Sequence, residues 1–239
     1  MVEFGSHTQR YITGPIGQQA RPCVVSFEHI STKRDGELAL YDISLDIYEG
    51  ESIAVIGSPG AGKSELMACV QGLVPSSEGH LHVLGYEVPP LPAEVRRQMG
   101  VMPGQLERAE TLLVADLIRR FAGYYKLDLS ESQVEVYCRH FALSSSWPVA
   151  HLTPTQVRLL ALSLALVHDP HLVLLDEPFA GLSGAGSLLI GQYLRGIQSE
   201  GRTLLITCTT PIAEELLTGY DCIIMLEKGH IQSVKQRKR

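Results

Sequence analysis

Long apolar runs are missing from this sequence. No stretch approaches the roughly 18 consecutive apolar residues that a helix needs to cross a bilayer, so the chain is expected to be soluble and to reach a membrane only through a partner. An excess of basic charge is missing as well. With 20 Lys and Arg against 26 Asp and Glu, the formal net charge is −6; nucleic acid, which demands a dense cationic surface, is not expected as a partner. The one basic cluster, Lys235-Gln236-Arg237-Lys238-Arg239, sits at the chain end and reads as a solvated tail. The five cysteines, Cys23, Cys69, Cys138, Cys208 and Cys222, have no metal spacing and an odd count, which argues for reduced thiols in a cytosolic protein. His140, His151, His168 and His171 are likewise scattered without ligand spacing. Residues 1–22 are polar and lack an apolar core segment, so a secretory signal is not expected and a flexible N-terminal arm is. No internal repeat is visible.

What is present is a core-forming chain of 239 residues, 45% of them apolar, enough for one domain or a domain with a subdomain. Its organising stretch is Gly57-Ser58-Pro59-Gly60-Ala61-Gly62-Lys63-Ser64, which fits G-x-x-x-x-G-K-[ST]. The preceding Ser52-Ile53-Ala54-Val55-Ile56 reads as a strand buried on both faces, and Glu65 opens a helix that runs to Gly72. Strand, glycine turn and helix N-terminus in that order form an anion site, because successive N–H groups converge and the helix dipole adds partial positive charge. Lys63 is placed to reach the β- and γ-phosphates of a nucleotide, and the Ser64 hydroxyl to hold Mg²⁺. Gly57 through Glu65 are therefore the candidate ATP-binding residues.

Around this stretch the chain divides by pattern. Cys23–Ile30 and Tyr41–Ile47 alternate with period two, joined by a polar turn at residues 32–36, and predict an antiparallel β-layer. Leu81–Leu84 and Met99–Met102 read as further short strands. Residues 23–104 form the first part of an ATPase core, and 105–152 form a helical subdomain. Within it, Thr111–Lys126 and Ser130–Leu143 carry apolar residues three and four apart, the second opening on the capping box Ser130-Glu131-Ser132-Gln133. Residues 153–234 complete the core, with strands at Leu172–Leu175, Thr203–Thr207 and Cys222–Leu226 and helices at Ala185–Ser199 and Pro211–Thr218; residues 235–239 are the basic tail. The fold class is α/β, with a parallel core sheet flanked by helices, the antiparallel layer before it and a small helical insertion within it.

Asp176 and Glu177 end the apolar run Leu172–Leu175, at the sheet edge that faces the nucleotide in such folds. Asp176 is the candidate Mg²⁺ ligand, and Glu177 the residue that orients or deprotonates an attacking water. An N-cap for the next turn is the competing role for Asp176.

These motifs, with Leu152-Thr153-Pro154-Thr155-Gln156, Asp46–Glu51 and Leu226–Ile231, resemble an ABC-transporter nucleotide-binding domain over about Val24 to Val234. The short insertion with Phe121-Ala122-Gly123-Tyr124-Tyr125 looks most like the exporter branch. The resemblance implies ATP and Mg²⁺ as cofactors, and as partners a membrane permease and a second ATP-binding subunit, in a homodimer or a heterodimer. It also implies a cytoplasmic location on the inner face of the membrane. In that family each ATP lies between the P-loop of one subunit and the signature motif of the other. Gln105 takes the position of the loop glutamine that completes the Mg²⁺ shell.

Several positions depart from the family pattern. Its signature reads L-S-G-G-Q, whereas Pro154 has no N–H to offer and Thr155 adds a branched side chain; Thr153-Pro154-Thr155-Gln156 also reads simply as a capping box. Cys208 stands at the switch-histidine position, Ser183 at the D-loop aspartate, and no aromatic lies near Asp35, where the family stacks one on adenine. ATP binding with weak hydrolysis is the expectation. A non-hydrolysing regulatory subunit and a soluble ABC-type ATPase acting on nucleic acid or ribosomes are the alternatives.

Overall fold

The computed structural model describes residues 11–12, 21–34, 36–103, 106 and 111–236. Gln105, Asp35, most of the 1–22 stretch and the tail beyond Gln236 lie outside the described residues. Two residues of the stretch expected as a loose arm, Tyr11–Ile12 (β1), form a strand. They pair in parallel with Glu37–Tyr48 (β3), Tyr11 beside Leu45 and Ile12 beside Asp46. Cys23–Arg34 (β2) lies antiparallel between β3 and Glu78–Val83 (β5), and Tyr86–Val88 (β6) closes the far edge. The hairpin between β2 and β3 is tighter than the sequence suggested. Thr32 and Lys33, read above as a turn, pair with Leu40 and Leu38, because backbone pairing persists for as long as the register has a partner, whatever the side-chain polarity.

The second sheet runs His230–Gln236 (β11), Cys222–Glu227 (β10), Ser52–Gly57 (β4), Thr203–Thr209 (β9), Leu172–Leu175 (β8) and Met99–Val101 (β7) in spatial order. Every neighbouring pair is parallel except β10 with β11. Lys235 and Gln236, assigned above to the tail, pair with Ile223 and Cys222 as part of β11. The helices are Lys63–Val70 (α1), Ala93–Arg96 (α2), Val114–Tyr124 (α3), Glu131–His140 (α4), Pro154–Leu166 (α5) and Gly184–Ser199 (α6). The helix expected over Pro211–Thr218 is reduced to a single 3-10 turn at Glu214–Leu217. The segment is bounded by Pro211 and Gly219, the two residue types least favourable to a helix.

Alternation along the parallel strands feeds two cores. Ile53 and Val55 of β4, Leu172 and Leu174 of β8 and Leu205 of β9 join Leu66, Met67 and Val70 of α1 and the apolar face of the antiparallel layer. The intervening residues, Ala54, Ile56, Val173, Leu175, Leu204 and Ile206, join the helices α3 to α6 on the other side. A sheet covered on both faces must be apolar at every position, which is why β4 and β8 are buried along their whole length. Gly100 in β7 lets α5 approach: a Cβ there would collide with the Ala165 carbonyl oxygen and lie 2.6 Å from Pro170 Cγ. Trp147 is 38% exposed and its backbone carbonyl accepts from the Val114 N–H at 3.0 Å.

The end of α3 is tied to the sheet by stacking of Tyr125 on His168, with ring centroids 3.5 Å apart and planes 4° from parallel. His168 Nε2 lies 3.1 Å from the Met99 carbonyl, to which it donates, while the buried Nδ1 has no partner among the described residues. Burial holds the His168 pKa below its ordinary value. A depressed folded pKa means that the unfolded chain binds the proton first. The contribution of His168 to stability is therefore full above the ordinary histidine pKa and is lost as pH falls from there through the folded pKa. Urea midpoints should thus fall between about pH 7 and 5 in the parent and fall less in His168→Gln; parallel curves would contradict this. Gly100→Ala should cost about 2 kcal/mol or more in the same assay through overpacking.

Candidate functional site

β4 ends at Gly57 and α1 starts at Lys63, so five residues make the turn between them. The turn is glycine-dependent at three points. Gly60 and Gly62 have φ of 80° and 100°, a region that L-residues avoid, and a Cβ on Gly57 would collide with the Leu226 carbonyl oxygen of β10. Lys63 is 6% exposed and folds back over the loop, donating to the Gly57 and Ser58 carbonyls at 3.0 and 3.1 Å. Ser58, Pro59, Gly60 and Ser64 are exposed, Ala61 and Glu65 buried. Gly60 to Glu65 line a cleft of about 600 Å³ together with Arg34, Leu38, Lys228 and neighbours, a size that suits a nucleotide. Its described lining holds no aromatic ring. Tyr41 of β3 instead lies against His230, with 4.8 Å between ring centroids.

The strand order β4-β9-β8 sets three carboxyl ends side by side. Gly57 pairs with Thr209, and Leu175, just before the acids, pairs with Ile206. Glu177 has φ of 50°, an uncommon conformation for a residue with a Cβ that costs about 1–2 kcal/mol. It is held there by its own N–H, which donates to Thr207 Oγ1 at 2.9 Å. The same hydroxyl donates to Asp176 Oδ1 at 2.5 Å. The Glu177 carboxylate accepts the Thr209 N–H on Oε2 at 2.9 Å and the Thr209 hydroxyl on Oε1 at 2.5 Å, and Oε1 is 3.3 Å from Lys63 Nζ. Cys208 lies between these threonines in sequence but belongs to the apolar cluster, at 2% exposure. Burial foremost, and then the Glu177 charge, push its thiol up to about 12, against a smaller opposing effect of Lys63. It is a neutral thiol at physiological pH.

The signature-like residues are elsewhere. Leu152 is buried, Thr153 is the N-cap of α5, and none of residues 152–156 lines the cleft. Thr153 and Gln156 spend themselves on each other: the Gln156 N–H donates to Thr153 Oγ1 at 3.3 Å and the Thr153 N–H to Gln156 Oε1 at 2.9 Å. Pro154 brings no N–H. Thr155 packs on α6, where a Cβ on Gly186 would come within 2.6 Å of its Oγ1. Ser183, the D-loop position, caps α6 by accepting the Gly186 N–H at 3.3 Å. The structure thus brings together Lys63, Asp176 and Glu177 around Thr207 and Thr209, and leaves Thr153–Gln156 and Ser183 in capping roles. Sequence reasoning missed Thr207 and Thr209. Their signal was two hydroxyl residues, two apart, ending an otherwise apolar strand, which is the spacing that puts both on one face.

A family model described as "ABC transporter" matches residues 40–180, more than half of the chain. The chain belongs to the ABC transporter family. It is an ATP-binding cassette, an ATPase of the ABC type with a P-loop NTPase fold. Among curated proteins it is 27% identical over 198 residues to the ABC transporter ATP-binding protein NatA of Bacillus subtilis (strain 168), covering 81% of this chain and 80% of that one. It is 30% identical over 213 residues to the Nod factor export ATP-binding protein I of Rhizobium johnstonii, covering 87% and 68%. Among solved structures it resembles an ATP-binding cassette of an ABC transporter in its ADP conformation, with TM-score 0.78 and 20% identity over 90% of this chain and 92% of that one. A dimeric bacterial ABC transporter cassette gives TM-score 0.77 at 20% identity, covering 90% and 99%.

Glu65 sits in the first turn of α1, buried and lining the cleft beside the P-loop, where a carboxylate would support the helix dipole but oppose a bound phosphate. Glu65→Gln should tighten ATP about 3- to 10-fold by calorimetry while lowering stability by about 0.5 kcal/mol. Unchanged affinity would mean that the phosphates lie beyond its reach.

Proposed function

We propose that this chain is the ATP-binding subunit of a membrane export complex, which binds Mg-ATP at a cassette dimer interface, transmits closure to a separate permease and hydrolyses ATP slowly. The export direction is supported by the Nod factor export relatives and the dimer by the solved dimeric cassette. No helix among the described residues is long and apolar enough to cross a membrane, so attachment through a permease on the cytoplasmic face is part of the reading. In it, Gly57 to Ser64 and the backbone N–H of Glu65 would hold the phosphates, and Ser64 and Asp176 would hold Mg²⁺. Hydroxyl and carboxylate oxygens are the donors that this hard cation takes, and bound there it would offset charge on the phosphates. Glu177 takes the proton of the attacking water.

One observation carries the expectation of slow turnover. Of the first three amides of α5, Pro154 has none and that of Gln156 is spent on Thr153, so Thr155 alone is left to clasp a phosphate presented by a second cassette. Cys208 adds a deficit at the chain's own P-loop, since a neutral thiol is a weak donor that cannot stabilise developing charge. In a homodimer both deficits fall in both sites. With an intact partner cassette each site carries one, and the same two observations favour a second reading, a gating subunit that binds ATP and leaves hydrolysis to its partner.

The test is steady-state Mg-ATP hydrolysis by the purified chain, with Lys63→Ala and Glu177→Gln beside it. Turnover below about 1 s⁻¹, abolished by both changes, is the expected result. Turnover in the range of about 1–100 s⁻¹ typical of efficient phosphoryl-transfer enzymes would overturn it. Bound ATP with no rate above the Lys63→Ala background would select the gating subunit.

A further inference from the structure

The pairing of Thr209 with Glu177 is stronger than packing requires. Both carboxylate oxygens of Glu177 take hydrogen bonds from one residue, Oε2 from the Thr209 N–H at 2.9 Å and Oε1 from its hydroxyl at 2.5 Å. Thr209 is itself fixed, paired with Gly57 at the end of the sheet, and the next residue, Thr210, donates its N–H to the Gly57 carbonyl at 3.1 Å. The third partner of the carboxylate, Lys63 at 3.3 Å, is the group that a nucleotide recruits to its own phosphates. When Lys63 turns to phosphate, Oε1 loses one partner on the P-loop side while Thr209 keeps hold of both oxygens. Glu177 and Thr209 also line a second cleft of about 410 Å³, with Phe179, Cys208 and Ile212 among its walls. The carboxylate thus stands between the P-loop lysine and a space that can supply water.

The geometry points to Thr209 as the positioning residue for hydrolysis in this chain, one that holds the Glu177 carboxylate on the line between water and γ-phosphate after Lys63 has left it. This rests on the reading of Glu177 as the proton acceptor. In the step concerned, the water oxygen bonds to the γ-phosphorus as the bond from phosphorus to the β,γ-bridging oxygen breaks. The electron pair of that bond leaves with ADP, and the water proton passes to the freed lone pair of Oε1. A carboxylate has about four lone-pair sites, so two hydrogen bonds from Thr209 leave room for that proton. Thr209 acts where the family places the residue after its switch histidine. Cys208, one residue earlier, lies in the apolar cluster and cannot perform that task.

Single-turnover phosphate release from Mg-ATP, with the full chain in excess, tests the proposal on Thr209→Val, Thr209→Ser, Glu177→Gln and the Glu177→Gln/Thr209→Val pair. The valine keeps the shape and the backbone N–H and removes only the hydroxyl. Losing a hydrogen bond to a charged group should slow hydrolysis about tenfold or more and leave ATP affinity within about twofold, because the bond touches no nucleotide atom. Thr209→Ser should restore most of the rate. In the Glu177→Gln background Thr209→Val should have no further effect, since Thr209 acts through that carboxylate. Thr209→Val at or above the parent rate, or with the same loss in both backgrounds, overturns the role of Thr209. Glu177→Gln at the parent rate overturns the reading of Glu177 instead, and the proposal with it.

A second measurement decides the matter where the parent rate does not rise above the Lys63→Ala background. The Thr209 amide proton, bonded to a carboxylate, should resonate downfield in the free protein and move upfield in Glu177→Ala while the other amides of β9 stay in place. An unmoved Thr209 resonance overturns the proposal.

Discussion

Parallel pairing of β4, β9 and β8 is the constraint on which the rest of this cassette depends. It places Gly57, Thr209 and the acids after Leu175 at one sheet edge, so that a lysine from the first helix and a glutamate from a strand end more than a hundred residues later come within 3.3 Å. The glycine at Gly57 is required by the same constraint, because β10 crowds that position from the other side. Two cores, one under the antiparallel layer and one under the helices, press the sheet from both faces and keep those strand ends in register.

A second device, the helix cap, decides what the signature-like segment offers. A free helix N-terminus presents three or four unsatisfied N–H groups to an anion. In α5 the cap is self-satisfied: Thr153 and Gln156 bond reciprocally and Pro154 occupies the first helical position. The arrangement stabilises the helix by roughly 1 kcal/mol and removes most of what a phosphate from a second cassette would find. The same residues cannot serve both ends at full strength, and here the sequence favours the helix.

Much of this was legible before any coordinates. The all-apolar runs Ile53–Ile56 and Leu172–Leu175 announce strands buried on both faces, and the glycines with Lys63 announce the turn that follows the first. The box Ser130-Glu131-Ser132-Gln133 marks the start of α4, where the Gln133 N–H donates to Ser130 Oγ. Legibility failed where tertiary pairing overrides local pattern. β2 and β3 extend into polar residues because each supplies the other's hydrogen bonds, and β1 exists only by virtue of its place beside β3. It failed also for Thr207 and Thr209, whose part depends on which strand lies between β4 and β8, an order that sequence alone does not reveal.

The central claim is that the start of α5 is spent on its own cap, and it is tested most directly by sedimentation of Glu177→Gln with ATP, with and without Pro154→Gly and Thr155→Gly. Glycine at 154 restores a helix-start N–H and glycine at 155 removes the branched side chain, without touching the P-loop. The chain should stay largely monomeric with ATP and gain an ATP-dependent dimer when the glycines are introduced. Equal dimerisation in both forms would contradict it.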